Sequence, residues 1–232
     1  MRGRVSARLN EGATGPVFYP TGEITTALNE GLRFFVLLTL GLETTASWPL
    51  TPATTFYHML AIFPDWIVPL RITTALGAKV RPARLEELTC LDAGWRARPG
   101  VPVRYAAVGA DLTAMYQQPA AAGTVLRVTY ARSPLVLAGD GDVPEIPDEY
   151  HPRLVDYGVY RMRQVEGAQE LEKALKYLDS FMDGAQHYAA YVRARNLGAR
   201  YDKVPLELEK FDRSRLLTMR PDAMPGRNVK GN

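Results

Sequence analysis

The sequence is poor in the residues that metal sites, disulfides and covalent catalysis need. It has one cysteine, Cys90, which rules out an internal disulfide, and its three histidines are far apart, so we expect no zinc site. The motifs GxxxxGK(S/T), GxGxxG, HExxH and GxSxG are missing, which removes common signatures of phosphate binding, zinc hydrolysis and serine hydrolysis. We therefore predict no cofactor, no metal and no enzymatic activity. Cys90 is predicted to be a small, buried apolar residue.

The sequence also lacks a long apolar run. The longest extends from Phe34 to Leu42 and is interrupted by Thr39 and Gly41, far short of the roughly 20 residues that span a bilayer. The first residues include arginines but no apolar segment, so we expect no secretory signal. The net charge of +3 permits contact with nucleic acid without arguing for it. Together these features predict a globular protein without membrane contact.

Helical periodicity is present near the start of the chain. Val5 and Leu9 predict a short first helix, and Thr21 is a candidate cap for a second helix that extends to Leu42. The second half of this helix is apolar on every side, which is hard to bury within one small subunit. The residues predicted to contact another subunit are Phe34, Leu37, Leu38 and Leu40.

The pattern changes to that of β-strands from Thr44 onward. Val68, Leu70 and Ile72 alternate with polar residues or proline, which is the period of a strand with one buried face. Pro69 interrupts this strand and cannot donate a ladder hydrogen bond. It is therefore predicted to lie at a sheet edge or at a bulge.

Three further runs give the clearest strand signal. They cover residues 103–108, 112–117 and 125–132, are separated by short turns, and predict an antiparallel meander with one covered face. A short helix is predicted over residues 81–92, with Pro82 in its first turn.

The helical period returns after this β-rich part. Pro147, Asp148 and Glu149 are typical of a first helical turn, and an apolar stripe runs from Leu154 to Val165. A longer stripe then steps by four and three residues. Its members are Leu171, Leu175, Leu178, Met182, Ala185, Ala189 and Val192.

These patterns predict an α+β fold. A helical bundle is interrupted by an inserted antiparallel β domain and is followed by an extended C-terminal arm. The predicted boundaries are 1–43 for the N-terminal bundle helices, 44–144 for the β domain, 145–198 for the C-terminal bundle helices and 199–232 for the arm. The arm has too few large apolar residues to fold alone.

A dense group of acidic residues lies just before the returning helix. It contains Asp140, Asp142, Glu145, Asp148 and Glu149. Three interpretations are open: a solvated loop with acids at a helix N-terminus, an acidic patch for a basic partner, or a metal site. Asp140-Gly-Asp142 resembles the start of a calcium-binding loop, but the rest of that pattern is missing.

Four short motifs follow one another after the apolar end of the second helix. They are Y-x-x-x-G at 105–109, Y-x-x-P at 116–119, V-x-Y-x-R-x-P at 128–134 and I-P-x-x-Y-H-P at 146–152. In this order they resemble the head-to-tail adaptor (connector) proteins of short-tailed bacteriophages. The resemblance extends roughly from Leu28 to Tyr201.

The resemblance implies a structural protein of the virion neck, made in the host cytoplasm. Such adaptors form a ring of twelve copies between the portal protein and the tail nozzle. Double-stranded DNA passes through the ring without sequence-specific contacts. Within that picture the arm is predicted to dock on the portal protein, and the residues predicted to do so are Leu206, Leu208, Phe211, Arg213, Arg215, Leu216, Leu217 and Arg220.

Two other classes of function compete with a ring subunit. A β-sandwich module that binds a carbohydrate or a protein would present aromatic side chains, and Trp48, Trp66 and Trp95 are the candidates. Tryptophans in such contexts more often pack inside the protein. A hydrolase built on two carboxylates of the acidic loop would need one acid with a raised pKa in an apolar pocket.

Overall fold

The computed structural model describes residues 1–9, 18–120, 123–139, 141–165 and 168–197. Within these residues the chain forms six α-helices and a curled, mostly antiparallel sheet of seven strands. The predicted α+β class is therefore confirmed.

The helices lie at both ends of the described chain, with two short ones between the strands. They are α1 (Arg2–Arg8), α2 (Thr21–Thr39), α3 (Met59–Ile62), α4 (Leu85–Leu91), α5 (His151–Val165) and α6 (Ala168–Leu197). Two 3-10 turns cover Trp95–Ala97 and Asp148–Tyr150. The second turn leads directly into α5, so the predicted return to helix at Asp148 is confirmed.

Nine strands lie between α2 and α5. They are β1 (Glu43–Pro49), β2 (Phe56–His58), β3 (Trp66–Thr74), β4 (Lys79–Pro82), β5 (Pro99–Gly100), β6 (Arg104–Val108), β7 (Leu112–Tyr116), β8 (Gln118–Pro119) and β9 (Val125–Arg132). The main sheet has the order β1-β9-β3-β4-β6-β7-β2, and β5 pairs with β8 separately. Within the main sheet, the pairing of β4 with β6 is parallel.

The helices α1, α2, α5 and α6 share one apolar core. Phe35 of α2 and Phe181 of α6 are fully buried there, with ring centroids 5.9 Å apart. Tyr188 stacks on Phe35 at 5.6 Å, and Tyr157 of α5 lies 4.9 Å from Phe181. Gly31 lets α2 approach this cluster, because an added Cβ would lie 2.6 Å from the Tyr157 ring. Aromatic side chains of this size supply much of the buried apolar area of a core.

The sheet has a second apolar core on one of its faces. Trp48 of β1 lies opposite Leu126 of β9, and Ile72 of β3 lies opposite Val128. All four side chains are fully buried. At the other end of the sheet, α4 and Trp95 cover the hairpin of β6 and β7 with a smaller apolar cluster. The alternation of strand residues thus separates a core face from an outer face.

The prediction for Pro69 is confirmed. The register of β3 on β9 shifts between Pro69 and Arg71, so the proline lies at an irregularity of the ladder. A bulge at this point is expected, because proline lacks the N–H that a central strand must donate.

The predicted meander is wrong. The strands β6 and β7 do form a hairpin, but β9 pairs with β1 and β3 instead of continuing from β7. Local alternation identifies a strand and its buried face, whereas the partner depends on long-range packing.

The second helix begins and ends differently from the prediction. Thr21 is the first helical residue, and Pro20 occupies the cap position without a side-chain hydrogen bond. The helix ends at Thr39 instead of Leu42, since Leu40 adopts a left-handed conformation with a φ of 51°. Leu42 is nevertheless buried in the helical core. An apolar run can therefore continue past the end of a helix when the following chain turns back over the same core.

Three further expectations need correction. Pro82 ends strand β4, and α4 starts only at Leu85. At the start of α4 the Glu87 carboxylate accepts a hydrogen bond from the N–H of Arg84 at 3.2 Å. Cys90 is exposed, because this two-turn helix buries only Leu88. Leu171 is 39% exposed, so the core stripe of α6 begins one turn later than predicted.

Several predicted features lie outside the described residues. They are Asp140 and the whole arm, including Leu206, Leu208, Phe211, Arg213, Arg215, Leu216, Leu217 and Arg220. The division into bundle, β domain and arm stays a prediction.

Candidate interaction surfaces

The described part of the acidic loop is held by its own backbone. Asp142 accepts hydrogen bonds from the N–H groups of Ala138 at 2.6 Å and Gly139 at 2.7 Å. These bonds hold the pKa of Asp142 below its ordinary value, and Arg2 contributes in the same direction. Arg2 also donates to the Ala138 carbonyl at 2.6 Å, which joins α1 to the loop.

Glu145 fixes the other end of this loop to the sheet. It accepts two hydrogen bonds from the Arg132 guanidinium, at 2.5 and 3.1 Å, and one from the N–H of Leu135 at 2.8 Å. The Arg132 contact is the main reason why the pKa of Glu145 lies below its ordinary value. Both side chains are about three-quarters buried. The pair therefore ties the end of β9 to the segment that leads into α5.

The geometry of the loop argues against the hydrolase interpretation. A general acid needs a raised pKa, whereas Asp142 and Glu145 both have lowered pKa values and structural partners. Among the described residues, no group of three or more acidic, histidine or cysteine side chains could hold a metal ion. His151 donates through Nε2 to the Ile146 carbonyl at 3.0 Å, which is a local structural contact.

The Arg132–Glu145 pair predicts a pH-dependent contribution to stability. We expect Glu145→Gln to lower the free energy of unfolding by about 1–2 kcal/mol at pH 7, because it removes a two-pronged, charge-assisted contact. A lowered folded pKa means that the contribution is complete above the ordinary value of 4.5 and is lost as the pH falls through the folded pKa. Chemical denaturation at pH 7, 5 and 3 measures this difference.

Glu172→Gln is the matched control for that series, because Glu172 is exposed on α6. It should change stability by less than about 0.5 kcal/mol at any of these pH values. A difference between wild type and Glu145→Gln that persists undiminished at pH 3 would contradict the assigned role of the ion pair.

The three tryptophans do not form a ligand platform. Trp48, Trp66 and Trp95 are 0%, 5% and 1% exposed, respectively. Trp48 packs edge-on against Tyr57 at 5.1 Å, and Trp66 lies 5.0 Å from Tyr130. They are packing anchors, so the carbohydrate-binding interpretation loses the residues on which it depended.

The last two turns of α2 carry an exposed apolar patch. Phe34, Leu37 and Leu38 are 37%, 49% and 37% exposed, whereas Leu40 is half-buried. The Phe34 ring stacks on Phe181 at 5.9 Å, so the patch is the outer edge of the helical core. We call Phe34, Leu37 and Leu38 the α2 patch. The exposure expected for this helix is present, although Val36 on the same stretch is fully buried within the chain.

The sequence as a whole matches one known family. A family model described as SU10 adaptor protein matches residues 1–207. The chain belongs to the SU10 adaptor protein family. Membership supports a structural role as a phage head-to-tail adaptor and a component of the virion. No curated protein sequence matches the adaptor significantly.

Membership also agrees with what the surfaces of the adaptor offer. Its family role is structural, and the Asp142 and Glu145 carboxylates are engaged in structural contacts. No helix within the described ranges is long and apolar enough to cross a membrane.

Sequence reasoning missed one surface of the adaptor. Arg71, Arg81 and Arg127 lie far apart in the chain. Alternation predicts Arg71 and Arg127 as outward strand residues, whereas Arg81 falls at the start of the helix predicted over residues 81–92. The strand order brings β9, β3 and β4 side by side and so places these residues on one face. The strand period was a sufficient signal for the direction of Arg71 and Arg127 but not of Arg81, and only the pairing shows that the three are neighbours.

Proposed function

We propose that this adaptor is the repeating subunit of a ring between the portal protein and the tail nozzle of a short-tailed phage. Twelve copies surround a channel through which double-stranded DNA passes. Family membership supports the adaptor role, and the α2 patch supports the closed ring. A subunit of a ring needs two different surfaces that meet in each copy-to-copy contact.

The α2 patch is the observation on which the proposed ring depends. Three large apolar side chains on two adjacent turns leave an exposed surface that a solvated monomer would not favour. Leu38 also lines, together with Met182 and Arg193, a cavity of about 180 Å³ between α2 and α6. An apolar side chain of the next copy could fill this cavity and cover the patch.

The C-terminal arm supplies the second half of the proposal. It lies outside the described residues, so its role follows from composition alone: apolar anchors from Leu206 to Leu217 are spaced among charged residues. Such a segment gains enough contact to offset its ordering entropy only on a partner. We propose the portal protein as that partner, and twelve arms acting together would add avidity.

Native mass measurement tests the ring directly. The wild-type adaptor mixed with portal rings should give a complex that contains twelve adaptor copies. The double variant Leu37→Asp/Leu38→Asp should stay folded and lose this assembly, because it puts two charges into the copy-to-copy contact. Truncation after Tyr201 should leave the subunit folded and greatly weaken its attachment to the portal.

Leu76→Asp is the matched control, since Leu76 is 98% exposed in the β3–β4 turn, away from the α2 patch. It should assemble like the wild type. Full assembly of the Leu37/Leu38 variant would exclude the α2 patch as the subunit contact. Portal rings that bind no copies of the wild-type adaptor would contradict the proposed ring.

A further inference from the structure

One face of the sheet carries four cationic side chains without an acidic partner. Arg71 of β3, Lys79 and Arg81 of β4, and Arg127 of β9 are all exposed. None of the four forms an ion pair or hydrogen bond through its side chain within the described part of the chain. We call these four residues the cationic sheet face.

The strand register places the four on the same side. Thr73 lies directly opposite Arg127 on one neighbouring strand and opposite Lys79 on the other, so these cations share one row. Arg71 and Arg81 are each two residues further along and therefore share the next row. The intervening residues, such as Ile72 and Val80, point into the buried core on the opposite side.

The second row brings like charges together. Continuing the β3–β4 register puts Arg71 beside Arg81, and Arg81 is in turn in register with Arg104 of β6. Like charges on directly paired strands destabilise a sheet. Because these arginines have no acidic partner within the described chain, the fold itself gains nothing from this arrangement. A bound anion would neutralise it.

The surroundings of this face favour phosphate over a protein surface. Three hydroxyl-bearing residues lie on this side, namely Thr45, Ser47 and Thr129, and the Thr45 and Thr129 hydroxyls hydrogen-bond to each other at 2.9 Å. Protein interfaces usually have an apolar centre and few lysines. Arginine, lysine, serine and threonine are instead the side chains that contact nucleic-acid phosphates. Glu43, the carboxylate of β1 on this side, is already paired with Arg195 at 2.9 Å.

The size of the face suits a polymer of phosphates. Neighbouring strands are about 4.8 Å apart, so Arg127 and Lys79 span about 10 Å of the sheet. Phosphates along one DNA strand rise by about 3.4 Å per nucleotide, and long arginine and lysine side chains can follow several of them.

We propose that the cationic sheet face binds the phosphodiester backbone of double-stranded DNA without reading its sequence. The inference deepens the proposed function, because a ring around DNA would present such a face to the duplex many times. Its chemical basis, however, lies within one subunit and does not depend on the ring.

Binding of a fluorescent 30-base-pair duplex to the full-length adaptor tests the proposal. Arg71→Gln/Arg81→Gln should weaken binding roughly tenfold or more at low salt, and the slope of log K against log salt should fall by about 1.8. The melting temperature of this variant should stay unchanged or rise, because the like-charge pair is removed.

Arg4→Gln/Arg33→Gln is the matched control. Both arginines are exposed on helices and unpaired within the described chain, and the change in net charge is the same. This control should keep most of the affinity and of the salt slope. Equal losses in both variants would show a general charge effect and overturn the proposal. A lower melting temperature of the Arg71/Arg81 variant would also overturn it, because the arginines would then support the fold.

A different partner would give a different result. If the Arg71/Arg81 variant bound DNA like the wild type but failed to assemble with portal rings, the face would dock on an acidic protein surface, and the DNA proposal would be wrong. The duplex measurement uses the subunit alone, so failure of the ring in native mass measurement and failure of this face to bind DNA are separate outcomes.

Discussion

Replacing Leu178 by aspartate is expected to destabilise the helical core by roughly 3–5 kcal/mol. Leu178 is 7% exposed on α6 and belongs to the cluster that α1, α2, α5 and α6 share. The change removes a buried leucine side chain, which alone costs about 2–5 kcal/mol, and places an unpaired carboxylate in an apolar site. Chemical denaturation followed by circular dichroism at 222 nm should report the loss, because most helices of the chain contribute to this core.

Leu171→Asp provides the comparison on the same helix. Leu171 is 39% exposed one turn after the start of α6, so an aspartate there keeps its hydration. The expected change in stability is within about 0.5 kcal/mol. Wild-type unfolding of Leu178→Asp would mean that this face of α6 is not buried, and equal destabilisation by both variants would mean that helix propensity, not burial, decides the outcome.

Leu178 and Leu171 also show how well the sequence predicted which residues of α6 are buried. A seven-residue stripe correctly placed Leu178, Ala185 and Val192 in the core. The stripe missed Phe181 and Tyr188, which are 0% and 5% exposed. A strict four-three repeat describes a helix that packs against one neighbour. Because α6 contacts both α5 and α2, its buried face is wider than one seam.

Predictions for the sheet were limited by a different physical cause. The buried faces of β3 and β9 followed from alternation, and the structure confirms them at Ile72, Leu126 and Val128. The order of the strands did not follow, because β1 and β9 pair across some eighty residues of chain. Periodicity is a local property, whereas strand order is decided by which long pairings bury the most surface.

The two candidate surfaces also differ in how far the sequence could predict them. The α2 patch was predictable, because Phe34, Leu37 and Leu38 exceed the apolar surface that one helix can bury in a small bundle. The cationic sheet face was not, since Arg71 and Arg127 become neighbours only through the β3–β9 pairing. Family membership confirms the adaptor class, and the arm stays a prediction from composition.

Replacing Trp48 by alanine is expected to destabilise the sheet by about 3–5 kcal/mol. Trp48 is fully buried in β1, lies opposite Leu126 and packs edge-on against Tyr57. The substitution leaves a cavity in the apolar core of the sheet. Leu76→Ala is the control, because Leu76 is 98% exposed and its loss leaves no cavity. The tryptophan band of the near-ultraviolet circular dichroism should follow the sheet, because the remaining tryptophans, Trp66 and Trp95, both lie between α2 and α5.

The Trp48→Ala variant also tests whether the helices and the sheet unfold separately, as we propose from their distinct cores. Contacts between the two parts include Ile67 and Leu137, which pack on the helical core, and the Arg195–Glu43 and Arg132–Glu145 ion pairs. These contacts are small beside either core, so coupling should be weak. We expect Trp48→Ala to lower the midpoint of the near-ultraviolet transition while hydrogen exchange in α5 and α6 keeps its wild-type protection. If that protection falls by the same free energy as the sheet, the two parts form one cooperative unit, and the proposed boundary near residue 44 does not separate domains.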